Sequence, residues 1–331
     1  MVRDPENKNE LRPPQDPNDF LELAPDLDKA FDYEFVPLLN KDSTNMVPAD
    51  WTMMAEEIHR RRNDGYDGFV VAHGTDTMHF SSSAVAFALG PELPFPVVFT
   101  GAQTIPEVRH GDARVNLMRA FEVAVSEVAE VVIAFGDYVF RGCRAQKKDE
   151  RRFDAFESPA MFPLGFITEE IVLSPLALRR PRVSAQFRVR PHFAAGVLQV
   201  SLIPGLEPEL LRPAIQRDEC RGLILSSFGA GNVPNVEPYS FAAIIREATQ
   251  MGKPVIVTSQ FPANATLHTA YQPGREAVSA GAIATGNMTA SCAATKFRWA
   301  LALAEEEGVD PDKLKTYVET IMGNAYVGEM D

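Results

Sequence analysis

Cysteine is scarce in this chain. Three occur in 331 residues, Cys143, Cys220 and Cys292, far apart and never as a CxxC pair. That spacing argues against a disulfide framework and fits free thiols in a reducing compartment. The six histidines include no HExxH, and His73 and His79 are poorly spaced to share one metal from a helix, so neither metal nor cofactor is expected. Positive charge is also in deficit: the formal net charge is −13 and the pI is near 5.0. A phosphate-binding face needs concentrated Lys and Arg, so a nucleic-acid partner is not expected. The densest basic run, His59-Arg60-Arg61-Arg62, reads as a solvated helix end. No apolar stretch approaches the ~20 residues of a bilayer span. The polar, acidic start MVRDPENKNE is no signal peptide. The expectation is a cytoplasmic protein with no membrane partner and no internal repeat.

What is present points to a globular α/β protein. With 45% hydrophobic and 23% charged residues, 331 residues are enough for two domains with separate cores. Short β-branched runs (Phe69–Ala72, Pro96–Thr100, Val131–Phe135, Gly222–Ser226, Val255–Thr258) alternate with helical patterns starting near Pro48, Asp112, Tyr239, Gly274, Ser291 and Asp310. That alternation predicts parallel, doubly wound sheet. Further expectations are a short helix around Asn18–Ala24, a strand over Tyr33–Leu39 and an ordered, irregular loop over Arg141–Phe166. A proline-flanked basic connector precedes a strand over Val197–Ile203.

The stretch Gly68–Ser83, GFVVAHGTDTMHFSSS, organises the rest. A buried strand breaks at His73-Gly74, and Thr75-Asp76-Thr77 opens a helix with Phe80, Ala84, Phe87 and Ala88 on one side. Such a turn presents hydroxyls and free N–H groups at the carboxyl edge of a sheet, where open α/β sheets bind ligands. On spacing alone, Thr75 and Asp76 read equally well as ordinary helix caps.

Other motifs tip that balance. Ala72-His73-Gly74-Thr75-Asp76-Thr77-Met78, Phe99-Thr100-Gly101-Ala102-Gln103, Arg141-Gly142-Cys143-Arg144-Ala145-Gln146-Lys147, Phe153-Asp154-Ala155-Phe156-Glu157-Ser158-Pro159 and Phe228-Gly229-Ala230-Gly231-Asn232-Val233-Pro234 occur in this order. Together they resemble the bacterial-type L-asparaginase family, in its cytoplasmic type I branch. The turn Asp42-Ser43-Thr44-Asn45-Met46 also resembles that branch's substrate-binding turn.

The resemblance implies a larger N-terminal doubly wound, flavodoxin-like parallel sheet over residues 1–185, a linker over 186–195 and a smaller Rossmann-like α/β domain over 196–331. It implies hydrolysis of L-asparagine to L-aspartate and ammonia without cofactor or metal, by Thr75, Asp76 and Lys147. Ser43 and Thr44, with Gly74, would receive the substrate, Ser43 at its α-carboxylate. Asp76 would hold the α-ammonium, and the Ala102 carbonyl would meet the side-chain amide. Asn232 would reach a neighbouring subunit's site in a homodimer or homotetramer. Lys148, beside Lys147, is the alternative lysine.

The chemistry has its own logic. Amide hydrolysis needs an activated oxygen nucleophile, a base for its proton and donors for the developing oxyanion. A threonine is inert unless a neighbour takes its proton, and a lysine does so only with its pKa drawn down. Asp76 beside Thr75 would hold that lysine in place, a variation on the Ser–His–Asp arrangement.

One family feature is missing. The apolar strand running into Thr-Gly-Gly-Thr-Ile, whose first threonine is the nucleophile usually assigned, does not occur here. Met1-Val2-Arg3 aligns with the Gly-Met that often follows it, and Leu11 stands near the place of a loop tyrosine. The expectation is that Met1 is an internal methionine of a longer product, and that the chain as it stands has very low activity and reduced stability. Two rival readings are the amidase subunit of an archaeal glutamyl-tRNA amidotransferase, which VVAHGTDTMH also resembles, and a non-catalytic amino-acid binder on the same fold.

Overall fold

Two blocks of alternating strand and helix make up the chain, dividing between Pro191 and His192. The computed structural model describes residues 2–3, 11–12, 26–105, 108, 110–181, 188–261 and 271–331. The helix expected around Asn18–Ala24 lies outside the described residues.

In the N-terminal unit, β1 (Val2–Arg3) and β2 (Leu11–Arg12) form a small antiparallel pair, followed by the single turn α1 (Leu27–Ala30). The strand expected over Tyr33–Leu39 does not form. Pro37 removes a ladder donor from its middle, and the Leu38 N–H bonds locally to Val36 O at 2.9 Å. Its alternation serves side-chain packing instead, with Tyr33 edge-on to Phe121 at 5.6 Å. Helix α2 (Pro48–Arg61) begins with Pro48 in its first turn. Asp50 accepts the Val47 N–H at 2.7 Å, closing the N-terminus, and Trp51, Met54, Ala55 and Ile58 form the buried face. Its basic end is paired as well as solvated, Arg60 and Arg61 reaching Glu57 at 2.6 and 2.5 Å.

Then follow β3 (Phe69–Ala72), α3 (Met78–Leu89), β4 (Val97–Thr100), α4 (Ala113–Ala124), β5 (Val131–Phe135) and β6 (Tyr138–Arg141). Strands β3, β4 and β5 are parallel in that order. Beyond β5 the sheet continues antiparallel through β6, then β9 (Gly165–Ile167) and β10 (Ile171–Leu173). Gly136, at φ +58°, makes the β5–β6 turn. The loop expected over Arg141–Phe166 holds a hairpin, β7 (Gln146–Lys147) on β8 (Phe156–Glu157), too short to leave a period-two signature. Every residue of β4 and β5 is buried, as continuous apolar runs in parallel sheet should be. By contrast β3 ends the sheet on its side among the described residues; Phe69, Val70 and Val71 are half-buried and Ala72 is exposed.

The C-terminal unit is a four-stranded, all-parallel sheet in chain order: β11 (Val197–Ser201), β12 (Gly222–Ser227), β13 (Val255–Ser259) and β14 (Ile283–Ala284). The connections contain α5 (Arg212–Ile215), α6 (Ala242–Gln250) and α7 (Gln272–Ser279). Ile244, Ile245 and Ala248 of α6 pack with Leu223, Leu225, Val255 and Val257 in the core. Helix α8 (Ala290–Glu306) starts from Thr289, whose hydroxyl accepts the Cys292 N–H at 3.2 Å, and α9 (Leu314–Gly323) packs on it. Phe297 of α8 lies so close to β12 that a Cβ on Gly222 would come within 2.5 Å of its ring.

The chain's last residues are held by a buried charge. Lys296 on α8 pairs with Glu329, and both side chains have 0% exposure. Lys296 also donates to Asn324 O at 2.6 Å, and Glu329 accepts the Tyr326 and Val327 N–H groups. Removing one partner would leave a charge buried alone. Glu329→Gln is expected to destabilise the C-terminal unit by about 3 kcal/mol or more, with Lys296→Met added to it recovering part of the loss. Urea unfolding followed by Trp299 fluorescence checks this; equal midpoints for parent and Glu329→Gln would refute it.

Candidate active site

The site grows from the end of β3. There the His73 N–H donates to Thr100 O at 2.8 Å, carrying the β3–β4 ladder one residue further. A Cβ on Gly101 would fall 2.2 Å from His73 O, so glycine is required for the two strand ends to meet. Chain reversal at His73-Gly74 then leaves Thr75 buried (9% exposed), while the Asp76 side chain is 56% open to solvent. The N-cap position of α3 belongs to Thr77, without a side-chain cap bond. Thr77 donates instead to Ser43 O at 2.7 Å, tying the 42–46 turn to the helix tip.

Lys147 comes to this tip from β7. Its Nζ lies 2.8 Å from Thr75 Oγ1 and 2.6 Å from Asp76 Oδ1, and its side chain is 14% exposed. The alternative, Lys148, faces Asp154 at 3.4 Å. The segment leading to β7 is anchored to α3, since Ser82 Oγ donates to Gly142 O at 2.8 Å. Gly142 has little room for a side chain, with Val131 O and Ser82 Cβ within 3.0 and 3.2 Å of an added Cβ. Ser82 and Ser83 of α3 therefore join the helix that follows Thr75 to the loop delivering Lys147.

Sequence reasoning missed one residue here. Gln103 accepts the Thr75 hydroxyl on Oε1 at 2.9 Å and donates from Nε2 to Asp149 O at 2.9 Å. Its loop is held by Asp112, which stands at the N-cap position of α4 but turns its carboxylate back to the Gln103 and Thr104 N–H groups at 3.0 and 3.1 Å. The only hint in the sequence was a glutamine closing the Phe-Thr-Gly-Ala-Gln motif.

Two histidines border the cluster. His79, one turn beyond Asp76, is pushed down to about 4 by burial first and then by the Lys147 charge. Burial also lowers His73, against a bond from its ring to Gly74 O. Neither histidine therefore adds a positive charge to the tip at pH 7.

Among the remaining expected residues, Ser43 is buried with its Oγ against Gly74, where an added Cβ would stand 2.6 Å away. Thr44 is exposed and bonded through its N–H and hydroxyl to Asp42, both at 2.8 Å. Ala102 is half-buried in the loop after β4. Asn232 belongs to the C-terminal unit, in the turn after β12, where its N–H meets Phe228 O at 2.8 Å. Among the described residues no three or more His, Cys, Asp or Glu cluster in a way that could hold a metal, and no helix is long and apolar enough to cross a membrane.

Family models cover most of the chain. Residues 1–176 match the N-terminal asparaginase domain and residues 196–317 the C-terminal glutaminase/asparaginase domain. The chain belongs to the asparaginase family. It is 33% identical to L-asparaginase 1 of Escherichia coli over 273 residues, 81% of this chain and 78% of that one. It is 30% identical to one subunit of the glutamyl-tRNA(Gln) amidotransferase of Methanothermobacter thermautotrophicus, over 87% of this chain but only 66% of that subunit's length. The solved thermostable L-asparaginase of Thermococcus kodakarensis superposes with a TM-score of 0.83 at 28% identity, covering 100% of this chain and 95% of that chain. The asparaginase fold of two α/β units is thus the fold of this protein, and asparaginase-family enzymes are amidohydrolases.

The depressed His79 gives a stability signature. A histidine that resists protonation in the fold but not in the unfolded chain costs nothing above 6.5 and progressively destabilises the fold as pH falls toward 4. His79→Gln should remove a penalty on the order of 3 kcal/mol between these limits. Urea titrations at pH 7 and pH 4 check it; parallel losses in parent and variant would refute it.

Proposed function

We propose that this chain is an L-asparagine amidohydrolase that releases L-aspartate and ammonia, with Thr75, Asp76 and Lys147 as its catalytic residues. The observation carrying the reading is the Lys147 amine, bonded to Thr75 Oγ1 at 2.8 Å and Asp76 Oδ1 at 2.6 Å. In the reaction, Lys147 in its neutral form takes the proton from the Thr75 hydroxyl, or from a water that Thr75 orients, as the oxygen attacks the amide carbon. The same amine returns the proton to the amide nitrogen, which leaves as ammonia; where Thr75 is the attacking oxygen, a water deprotonated by Lys147 then hydrolyses the Thr75 ester, releasing aspartate and restoring the hydroxyl. Asp76, more than half exposed, has a carboxylate edge available for the substrate's α-ammonium. Ser43, Thr44 and Gly74 receive the α-carboxylate end, and the Ala102 carbonyl takes the side-chain amide N–H. Asn232 completes the neighbouring subunit's site in a homodimer or homotetramer, and the protein works in the cytoplasm.

With no Thr-Gly-Gly-Thr-Ile in the sequence, Thr75 is the threonine that Lys147 touches, and turnover by this polypeptide is expected to be slow. A second reading has its own support, the 30% identity to the amidotransferase subunit. It differs in substrate, since such a subunit would release ammonia from glutamine for a partner.

Ammonia release from asparagine and from glutamine, followed by a coupled assay over long times and high enzyme concentration, tests both. Lys147→Met is expected to lower kcat for asparagine by about 100-fold or more, as loss of a positioned proton carrier does. A variant as active as its parent would overturn the assignment, and faster glutamine than asparagine hydrolysis would favour the second reading.

A further inference from the structure

The polarity of the hydrogen-bond chain through Thr75 is determined by groups outside the three catalytic residues. Asp149 O is a backbone carbonyl and can only accept, so the amide edge of Gln103 facing it must be Nε2, at 2.9 Å. Oε1 then faces Thr75 and can likewise only accept, at 2.9 Å. The Thr75 hydroxyl hydrogen therefore lies on Gln103, and its oxygen accepts from the Lys147 ammonium at 2.8 Å. One direction runs through the chain: Lys147 to Thr75 to Gln103, with Gln103 also donating to Asp149.

We propose that Gln103 is a positioning residue for the amide hydrolysis. Its side chain holds Thr75 Oγ in one rotamer, with the hydrogen turned away from Lys147 and a lone pair left for the cleft. Its anchor is the Asp149 carbonyl, two residues past Lys147, so the β7–β8 hairpin that delivers the lysine also orients the threonine. For Lys147 to take the Thr75 proton, the hydrogen must swing from Gln103 to a neutral amine. No bond to carbon forms or breaks at Gln103 in that step. The loop itself is held independently, through Asp112 on the Gln103 and Thr104 N–H groups at 3.0 and 3.1 Å, so the side chain can change without releasing the backbone. The ionisable groups around Lys147 are Asp76 at the helix tip, His79 a turn further and, on its own hairpin, Lys148 paired with Asp154.

This inference rests on the hydrolase reading, and two variants of the full chain separate the two. Gln103→Met keeps the volume and removes both bonds. It should lower kcat about 10- to 100-fold with KM within about threefold, the loss typical of a misplaced reacting atom. Gln103→Glu keeps an acceptor for Thr75 and adds a negative charge beside the amine. Having lost the donor to the Asp149 carbonyl, it should recover only part of the kcat lost in Gln103→Met, at alkaline pH, while moving the acid limb of the kcat profile up by about one pH unit, because the added anion favours the ammonium form. A residue that merely fills the loop would leave kcat of the volume-matched Gln103→Met unchanged, whatever the added charge of Gln103→Glu does to the pH profile. Titration of the Lys147 Nζ resonance by NMR reads the same coupling without turnover and should also rise in Gln103→Glu. An inactive parent whose Lys147 titration moves in Gln103→Glu would sink the hydrolase reading and keep the geometry. Variants within twofold of the parent in kcat, or an unmoved lysine titration in Gln103→Glu, would overturn the role of Gln103.

Discussion

A single ammonium group joins two parts of the chain 71 residues apart. Without Lys147, the helix tip at Thr75-Asp76 and the hairpin at residues 146–157 would be separate surface features, and the tip would carry an unpaired carboxylate beside a buried hydroxyl. The Lys147–Asp76 contact is half open to water, so its worth to stability is small, of the order of a surface ion pair. Its importance is geometric. It places an amine within bonding distance of a hydroxyl, the minimum needed to move a proton between nitrogen and oxygen.

The rest of the N-terminal unit serves that meeting. The parallel strands β3 and β4 bring His73 and Gly101 into van der Waals conflict for anything larger than glycine, which brings the Thr75 and Gln103 segments side by side at one sheet edge. Ser82 ties α3 to the turn at Gly142, and Asp112 ties the Gln103 loop to α4. Buried polar groups that are each satisfied in this way are rigid, and rigidity is what a site for proton transfer needs. The C-terminal unit uses the same device for another end, closing the chain's last residues onto α8 with a buried Lys296–Glu329 pair.

Much of this was legible in the sequence, for identifiable reasons. Strands β4, β5, β12 and β13 are buried on both faces and so appear as unbroken apolar runs. Thr75, Asp76 and Lys147 were readable through motif order, since spacing alone could not distinguish Thr75 and Asp76 from helix caps or Lys147 from Lys148. The alternation over Tyr33–Leu39 misled because Pro37 spoils it as a ladder while its aromatic residues still pack. Gln103 was missed because a loop glutamine carries no periodicity, and its partners at positions 75 and 149 meet it only in the fold. Asp112 was placed correctly at a helix start, but a tertiary demand for its carboxylate overrode the local cap. Lys296 gave no sign at all, since its anion lies 33 residues onward in an irregular tail.

The most direct measurement is a crystal structure of the full chain grown with L-aspartate, the expected product. The expected result is one aspartate per site, its α-ammonium on Asp76, its α-carboxylate at Ser43 and its side-chain carboxylate within hydrogen-bond reach of Thr75 Oγ1. Aspartate bound elsewhere, or a Lys147 amine withdrawn from both Thr75 and Asp76 when it binds, would contradict the assignment of these residues to one reaction.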